Sequence, residues 1–212
     1  MLMKECRHLY RSGKRKYSDG EFSSALSEFE KAVSMQERLY GKYHFDTVKS
    51  YWWKGMAACK TSNENLALKS FQRAMRMGES AFDGPSYEIM LKEIDKCWRD
   101  SHATGDVLNE MKQIFEFEGQ GDKAFKEGNF TKAIEFYYKS LKLQDELVGS
   151  DSLDGADIRC KLAVSLLRTS AEIEAHQALT LAYECYVNQV GVDHPATLGA
   201  AATMKNLTSV GA

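Results

Sequence analysis

The sequence repeats itself at a fixed spacing, and this repetition limits the folds that the chain can adopt. Each repeat carries an alanine, a large apolar residue four positions later and a small residue three positions after that. The four copies are Ala25/Phe29/Ala32, Ala67/Phe71/Ala74, Ala133/Tyr137/Ser140 and Ala175/Leu179/Ala182. They form two pairs, with 42 residues between the partners of a pair and 108 residues between the pairs. This i, i+4, i+7 pattern indicates one apolar helix face. Because a single hairpin cannot bury such a face alone, the repeats predict stacked helix hairpins.

Composition agrees with an all-α fold. The chain has 212 residues and only two prolines, which favours long helices over strands joined by turns. The first helix of each repeat is expected to end near a residue that can adopt a left-handed cap. These residues are Gly20, Ser62, Gly128 and Ser170. We predict two halves, residues 1–108 and 109–212, each with two hairpins and a lone closing helix. Whether residues 100–110 separate two arrays or bend within one continuous solenoid stays open.

Two motifs add a family resemblance. The repeat pattern resembles the tetratricopeptide repeat (TPR), and its 42-residue length resembles the longer variety found in kinesin light chains. The linker of that variety, Gly-x-Asp-His-Pro-x-Thr-Leu, stands in full at residues 191–198, and Gly41, His44 and Thr47 retain parts of it. Leu179 departs from the pattern, because an aromatic residue is usual there. The resemblance implies a TPR-like right-handed superhelical solenoid that acts as a protein-binding adaptor or scaffold.

The resemblance also places a ligand on the first helices of the hairpins, which line a concave groove. In the first half, the residues predicted to face this groove are Arg7, Tyr10, Lys14, Tyr17, Lys49, Trp52, Met56 and Lys60. The equivalent second-half residues are Phe115, Glu118, Asp122, Phe125, Asp157, Cys160, Val164 and Leu167, with Lys126 and Arg168 nearby. The first set is basic and aromatic, and the second is more acidic and apolar. Trp53, beside Trp52, is predicted to pack between hairpins instead.

We therefore expect the first-half groove to bind a protein or peptide segment that carries acidic residues and one large apolar or aromatic anchor. Cations orient such a ligand, and aromatic side chains supply most of the anchoring energy. Chaperone-binding members of the family grip a terminal carboxylate with lysine and asparagine side chains. Here the matching positions hold Tyr10, Lys14 and Trp53, or Glu118, Asp122 and Lys161. A chaperone carboxyl terminus is therefore not expected as the ligand.

Charge supports an alternative function. The net charge is only -2, which argues against nucleic acid or an anionic membrane as a partner. The halves differ, however: residues 1–108 contain 18 basic and 15 acidic residues, and residues 109–212 contain 10 and 15. A self-associating structural or regulatory module, in which the basic half of one copy meets the acidic half of another, is the alternative to an adaptor.

Signatures of catalysis and of metal binding are missing from the sequence. No phosphate-binding loop, dinucleotide fingerprint or nucleophile elbow occurs. The five cysteines have no paired spacing and are expected to be reduced and packed. His44 and His194, in the linkers, are expected to cap or pack. We expect no enzyme activity, no cofactor and no metal. The charged amino terminus resembles neither a signal peptide nor a membrane span, so we expect a cytoplasmic protein, with a nuclear one not excluded.

Overall fold

The computed structural model describes residues 2–41, 43–101 and 106–210, and within these ranges every regular element is an α-helix. In chain order the helices are α1 (Leu2–Ser18), α2 (Phe22–Tyr40), α3 (Phe45–Lys60), α4 (Glu64–Ala81), α5 (Gly84–Ser101), α6 (Val107–Lys126), α7 (Phe130–Leu147), α8 (Leu153–Leu167), α9 (Glu172–Val190) and α10 (Pro195–Val210). The predicted all-α class is confirmed. The question of a break or a bend near residues 102–105 lies outside the described residues, as does His102.

The backbone groups into two compact units, Met1–Leu108 and Asn109–Ala212, which we call unit 1 and unit 2. In unit 1, hairpins α1/α2 and α3/α4 are followed by α5, and α3 contacts both α1 and α5. In unit 2, α6/α7 and α8/α9 are followed by α10. Each unit thus contains TPR-like antiparallel hairpins and a fifth helix.

The hairpin turns are built as predicted. All four cap residues have positive φ: Gly20 at 81°, Ser62 at 56°, Gly128 at 77° and Ser170 at 60°. The amide that follows each cap bonds a carbonyl five residues earlier, as Glu21 N does to Lys16 O at 2.8 Å. This is the Schellman arrangement, which satisfies the last carbonyls of the first helix and reverses the chain.

The hairpin cores follow one rule of size complementarity. Phe29, Phe71 and Tyr137 are almost completely buried, and each ring lies against a glycine of the preceding helix. A Cβ on Gly55 would lie 2.5 Å from the Phe71 ring, so that position requires glycine. In the fourth repeat the glycine position holds Ala163, and it shares a buried cluster with Leu179. The smaller Leu179 side chain explains why an alanine fits there.

The linker histidines cap helices, as predicted. His44 Nδ1 accepts a hydrogen bond from Asp46 N at 3.2 Å, and His194 Nδ1 accepts one from Ala196 N at the same distance. Thr47 and Thr197 donate their hydroxyls to the carbonyls of Gly41 and Gly191 at 3.0 and 2.8 Å. These bonds satisfy backbone groups at helix ends.

None of the five cysteines, all of which lie in the described ranges, is in a disulfide bond. Cys6, Cys59, Cys97 and Cys185 are buried, and Cys160 is half-buried.

Candidate binding groove

The eight predicted first-half residues lie on two neighbouring helices of unit 1. Four are on α1 and four on α3, each set spaced by three or four residues along its helix. Such spacing places the members of a set on one helix face. None of the eight is fully buried: three are exposed (Arg7, Lys14, Lys60) and five are half-buried (Tyr10, Tyr17, Lys49, Trp52, Met56). The helices therefore present these side chains at a surface that a ligand can reach.

Three of the eight surround one pocket, where α1, the end of α2 and the start of α3 meet. The pocket has a volume of about 250 Å³. Its lining comprises Cys6, Arg7, Tyr10, Arg11, Gln36, Tyr40, Asp46 and Lys49. We call it the α1–α3 pocket. Lys49 Nζ also lies 5.2 Å from the Tyr10 ring centroid and 4.6 Å from that of Phe45, which holds the ammonium by cation–π attraction.

A second group of predicted residues forms an aromatic cluster around Trp53. Its ring centroid lies 5.3 Å from Tyr17 and 5.8 Å from Trp52, and it stacks on Phe29 at 6.3 Å. Trp53 therefore packs on the first hairpin, as predicted. Lys14 Nζ also lies 4.4 Å from the Trp53 ring centroid. Burial raises the pKa of Tyr10 and that of Tyr17 to about 12, so both hydroxyls stay neutral hydrogen-bonding groups.

Met56 and Lys60 lie on α3 but line neither the α1–α3 pocket nor the ring contacts of Trp53. Trp52 contacts Trp53, and its Nε1 is buried without a hydrogen-bond partner among the described residues. The predicted set thus divides into a pocket, a cluster and a remainder on the same two helices.

Sequence reasoning missed five lining residues: Cys6, Arg11, Gln36, Tyr40 and Asp46. Gln36 lies on α2, a second helix of a hairpin, and only 2% of it is exposed. The sequence did contain an indication of its role, because position 36 continues the buried row of Ala25, Phe29 and Ala32 but holds a polar residue.

Unit 2 also has a pocket, but at a different place: the unit 1 residues that match its lining include Lys14, Tyr17, Trp52 and Trp53, and none of them lines the α1–α3 pocket. The unit 2 pocket has a volume of about 310 Å³, and its lining comprises Asp122, Phe125, Lys126, Tyr137, Cys160, Lys161 and Val164. Lys161 Nζ lies 2.7 Å from Glu118 Oε1 and 2.7 Å from Asp122 Oδ2. The Tyr137 hydroxyl donates to Asp122 Oδ1 at 2.8 Å. Most charges beside this pocket therefore have internal partners.

This network stabilises the protonated form of Lys161. Burial by itself would lower the pKa of Lys161, but Glu118 and Asp122 outweigh that effect and raise the pKa above its ordinary value. Burial and the bond to Asp122 also raise the pKa of the Tyr137 hydroxyl. Lys161 is therefore a cation, and Tyr137 is a neutral hydrogen-bond donor.

Two kinds of feature are absent from residues 2–41, 43–101 and 106–210. No group of three or more histidine, cysteine, aspartate or glutamate side chains is arranged to hold a metal ion there. In the same ranges, no helix is both long and apolar enough to cross a membrane.

Comparison with known proteins gives matches only among solved structures. No family profile and no curated protein matches the chain. Two crystal structures show a protein of Podosopora anserina with nearly identical TPR-like repeats of the kinesin light chain kind, one of them a single-residue variant. Each of the two structures is 13% identical in sequence to this chain and matches 96% of it. This chain in turn covers 84% of the variant structure, with a TM-score of 0.38, and 85% of the other structure, with a TM-score of 0.39.

The TPR2AB domain of yeast Sti1, solved with pHSP90, is 18% identical and covers 96% of this chain. This chain covers 73% of that domain, with a TM-score of 0.33. The resemblance of this chain to tetratricopeptide proteins stands at the level of the fold, on the hairpins, caps and glycine–aromatic contacts described above.

Proposed function

We propose that the chain is an adaptor that binds a protein or peptide segment along α1 and α3 of unit 1. The segment carries acidic residues and a large apolar or aromatic side chain. One observation carries this proposal: Arg7, Arg11 and Lys49 surround one pocket, and no ion pair links any of them to an acidic side chain within the described part of the chain. Neighbouring lysines differ, since Lys16 pairs with Glu28 at 2.6 Å.

Unpaired cations in a concave site attract anionic ligands, because their charge is not neutralised by the protein itself. Tyr17, Trp52 and Trp53 lie on the same two helices and add half-buried aromatic surface, with Lys14 above the Trp53 ring. Aromatic and arginine side chains are the residues that dominate binding energy at protein interfaces. The groove thus combines both kinds of contact that an acidic segment with an aromatic anchor requires.

This function requires neither catalysis nor a cofactor. A terminal carboxylate of a chaperone is not the proposed ligand, because the positions that would grip it are occupied otherwise. In unit 1 they hold a cation–π pair, Lys14 on Trp53. In unit 2 they hold Lys161 with Glu118 and Asp122.

The test is selection of ligands from a random peptide display library against the full chain, followed by affinity measurement with labelled synthetic peptides. We expect the selected peptides to be acidic and to contain an aromatic residue. The double variant Arg7→Gln/Lys49→Gln should bind them more than tenfold more weakly, with unchanged helicity by circular dichroism.

The matched control is Lys31→Gln/Lys92→Gln, which removes the same charge from exposed positions of α2 and α5. It should bind the peptides as the natural chain does. Equal losses in the two double variants would mean that net charge alone attracts the peptides, and the groove assignment would then be wrong.

A further inference from the structure

The exposed large apolar side chains of unit 1 lie at one edge of its hairpins. Because the hairpins are antiparallel, the starts of α1, α3 and α5 and the ends of α2 and α4 share one edge, and the turns at Gly20 and Ser62 lie at the other. We call the first edge the linker edge, since the linker with Gly41 and His44 belongs to it. Every exposed large apolar residue among the described residues of unit 1 lies at or near this edge, each between 38% and 56% exposed: Leu2, Met3, Leu39, Tyr43, Phe45 and Ile89.

Phe45, the first residue of α3, stands in the middle of this edge and connects its parts. Its ring lies edge to face with that of Phe82, which follows α4, with centroids 4.9 Å apart. On the other side, Tyr40 at the end of α2 stacks on His44 with centroids 4.5 Å apart. Monomeric soluble proteins seldom leave a large contiguous apolar patch exposed, and such a patch marks an interaction surface.

Unit 2 does not repeat this patch. The positions that match Tyr40, Tyr43 and Phe45 hold a buried Val148, a charged Asp151 and a half-buried Leu153. The exposed large apolar residues of unit 2 are instead spread over α7, α8, α9, the following linker and α10: Tyr138, Val164, Ile173, Leu181, Val192 and Leu198. The linker-edge patch is therefore a property of unit 1 and not of the repeat fold.

The charges on the two sides of Phe45 have opposite signs. Residues 2–11, in α1, contain three basic residues and one acidic residue, and Arg38 adds a cation in the last turn of α2. On the other side, residues 79–88, from the end of α4 to the start of α5, contain three acidic residues and no basic one. Lys4, Arg38, Glu79 and Glu88 are all exposed. The linker edge thus runs from a basic end through an apolar centre to an acidic end.

Such a surface is complementary to itself. A two-fold axis that passes near Phe45 brings the basic end of one copy onto the acidic end of the other, and the two apolar centres onto each other. An anionic membrane would attract the basic end but repel residues 79–88. The charge pattern therefore favours a second copy of this chain over a lipid surface.

We propose that the linker edge of unit 1 binds the same edge of a second copy, forming a symmetric dimer. Tyr43 and Phe45 of both copies form its centre. Lys4 and Arg38 of one copy face the acidic residues 79–88 of the other, which sets the orientation of the two copies. This inference does not rest on the adaptor function, and it differs from an association between unit 1 and unit 2, since both contacting surfaces belong to unit 1.

Sedimentation equilibrium of the full chain tests the proposal, over about a hundredfold range of concentration because dimers form by mass action. We expect a reversible dimer. Tyr43→Ser/Phe45→Ser should weaken dimerisation about tenfold or more, since aromatic side chains at the centre of an interface contribute most of its affinity. The matched control is Tyr138→Ser/Ile173→Ser, which removes two exposed apolar side chains from unit 2. It should dimerise as the natural chain does, and circular dichroism should show unchanged helicity in both variants.

Charge reversal tests the orientation of the two copies. Lys4→Glu/Arg38→Glu makes both ends of the edge acidic, and Glu79→Lys/Glu88→Lys makes both ends basic. Each variant alone should dimerise about tenfold more weakly, because like charges then meet across the two-fold axis. An equimolar mixture of the two should associate about as well as the natural chain, since every basic end again meets an acidic one.

Three results would overturn the proposal: a monomer at every concentration, a dimer that Tyr43→Ser/Phe45→Ser leaves intact, or a mixture of the charge-reversed variants that stays monomeric. The adaptor function has a separate readout, the dependence of the selected peptides on Arg7 and Lys49. That dependence can be measured in Glu79→Lys/Glu88→Lys, which keeps both residues, so either proposal can fail while the other stands.

Discussion

Units 1 and 2 use the same three positions on their first helices in opposite ways. Unit 1 has Tyr10, Lys14 and Trp53, and unit 2 has Glu118, Asp122 and Lys161 at the matching places. In each unit a cation meets its partner across the two helices. In unit 1 the cation is on the first of these helices and sits on an indole ring, whereas in unit 2 it is on the other and bridges two carboxylates.

The aromatic residue beside these positions also differs between the two units. Tyr137 donates its hydroxyl to Asp122, and the matching residue in unit 1 is Phe29, which has no hydroxyl. A hydroxyl donor would find no acceptor on Lys14, since an ammonium group only donates. Side-chain chemistry thus decides whether the charges at these positions are paired within the protein, as in unit 2, whereas for unit 1 we propose that they meet a ligand.

The largest expected effect comes from breaking the unit 2 network. Lys161→Met leaves Glu118, of which 7% of the side chain is exposed, as a buried charge without its cation. We expect a loss of about 3 kcal/mol in the free energy of unfolding, below the upper range for buried pairs because Lys161 itself is partly exposed. Denaturant unfolding measures it.

Adding Glu118→Gln and Asp122→Asn to Lys161→Met should recover most of that loss, because no unpaired charge then remains. Failure of this rescue would show that the packing of the lysine stem, not its charge, stabilises unit 2. The pH dependence gives a second check. The pKa of Lys161 is raised above its ordinary 10.5 in the folded state, so its stabilisation is complete below about pH 10.5 and disappears as pH rises through the folded value. The natural chain and Lys161→Met should therefore converge in strongly alkaline solution.

A smaller effect tests whether the repeats are equivalent in their cores. Gly55→Ala places a Cβ 2.5 Å from the Phe71 ring and should cost about 1.5 kcal/mol, the overpacking penalty less the better helix propensity of alanine. Phe71→Leu should reduce the cost of this change, since the fourth repeat combines Ala163 with Leu179. A double-mutant cycle measures the coupling. If Gly55→Ala costs the same with Phe71 as with leucine, size complementarity does not explain the fourth repeat.

The helices, caps and core rows were predictable because their determinants are local. The Ala25, Phe29, Ala32 row has helical periodicity, and Gly20 or Ser62 reports a left-handed cap from its own position in the chain. The pocket was only partly predictable. Arg7, Tyr10 and Lys49 could be predicted because each lies on the groove face of its own helix. Gln36 could not, because it lines the pocket only through the packing of the end of α2 against the start of α3.

The unit 2 network needed a different kind of inference. Lys161 and Glu118 are 43 residues apart in sequence, and neither residue alone indicates an ion pair. Comparison across the 108-residue offset does show that Trp53 exchanges with Lys161 while Tyr10 exchanges with Glu118. This paired replacement could have predicted the ion pair, because a carboxylate is not buried without a cation beside it.

The smallest expected effect comes from the counterpart cation of unit 1. Lys14→Met removes an exposed ammonium from the face of Trp53, and a cation–π contact at such a site contributes about 0.5 kcal/mol. Unfolding free energy should therefore barely change, in contrast to Lys161→Met, while the affinity for acidic library peptides should fall, because we propose that Lys14 contacts the ligand. Lys14→Arg should preserve the affinity, since a guanidinium also stacks on an indole. If Lys14→Met instead destabilised the chain as much as Lys161→Met, both cations would be structural, and the contrast between an open unit 1 and a satisfied unit 2 would be wrong.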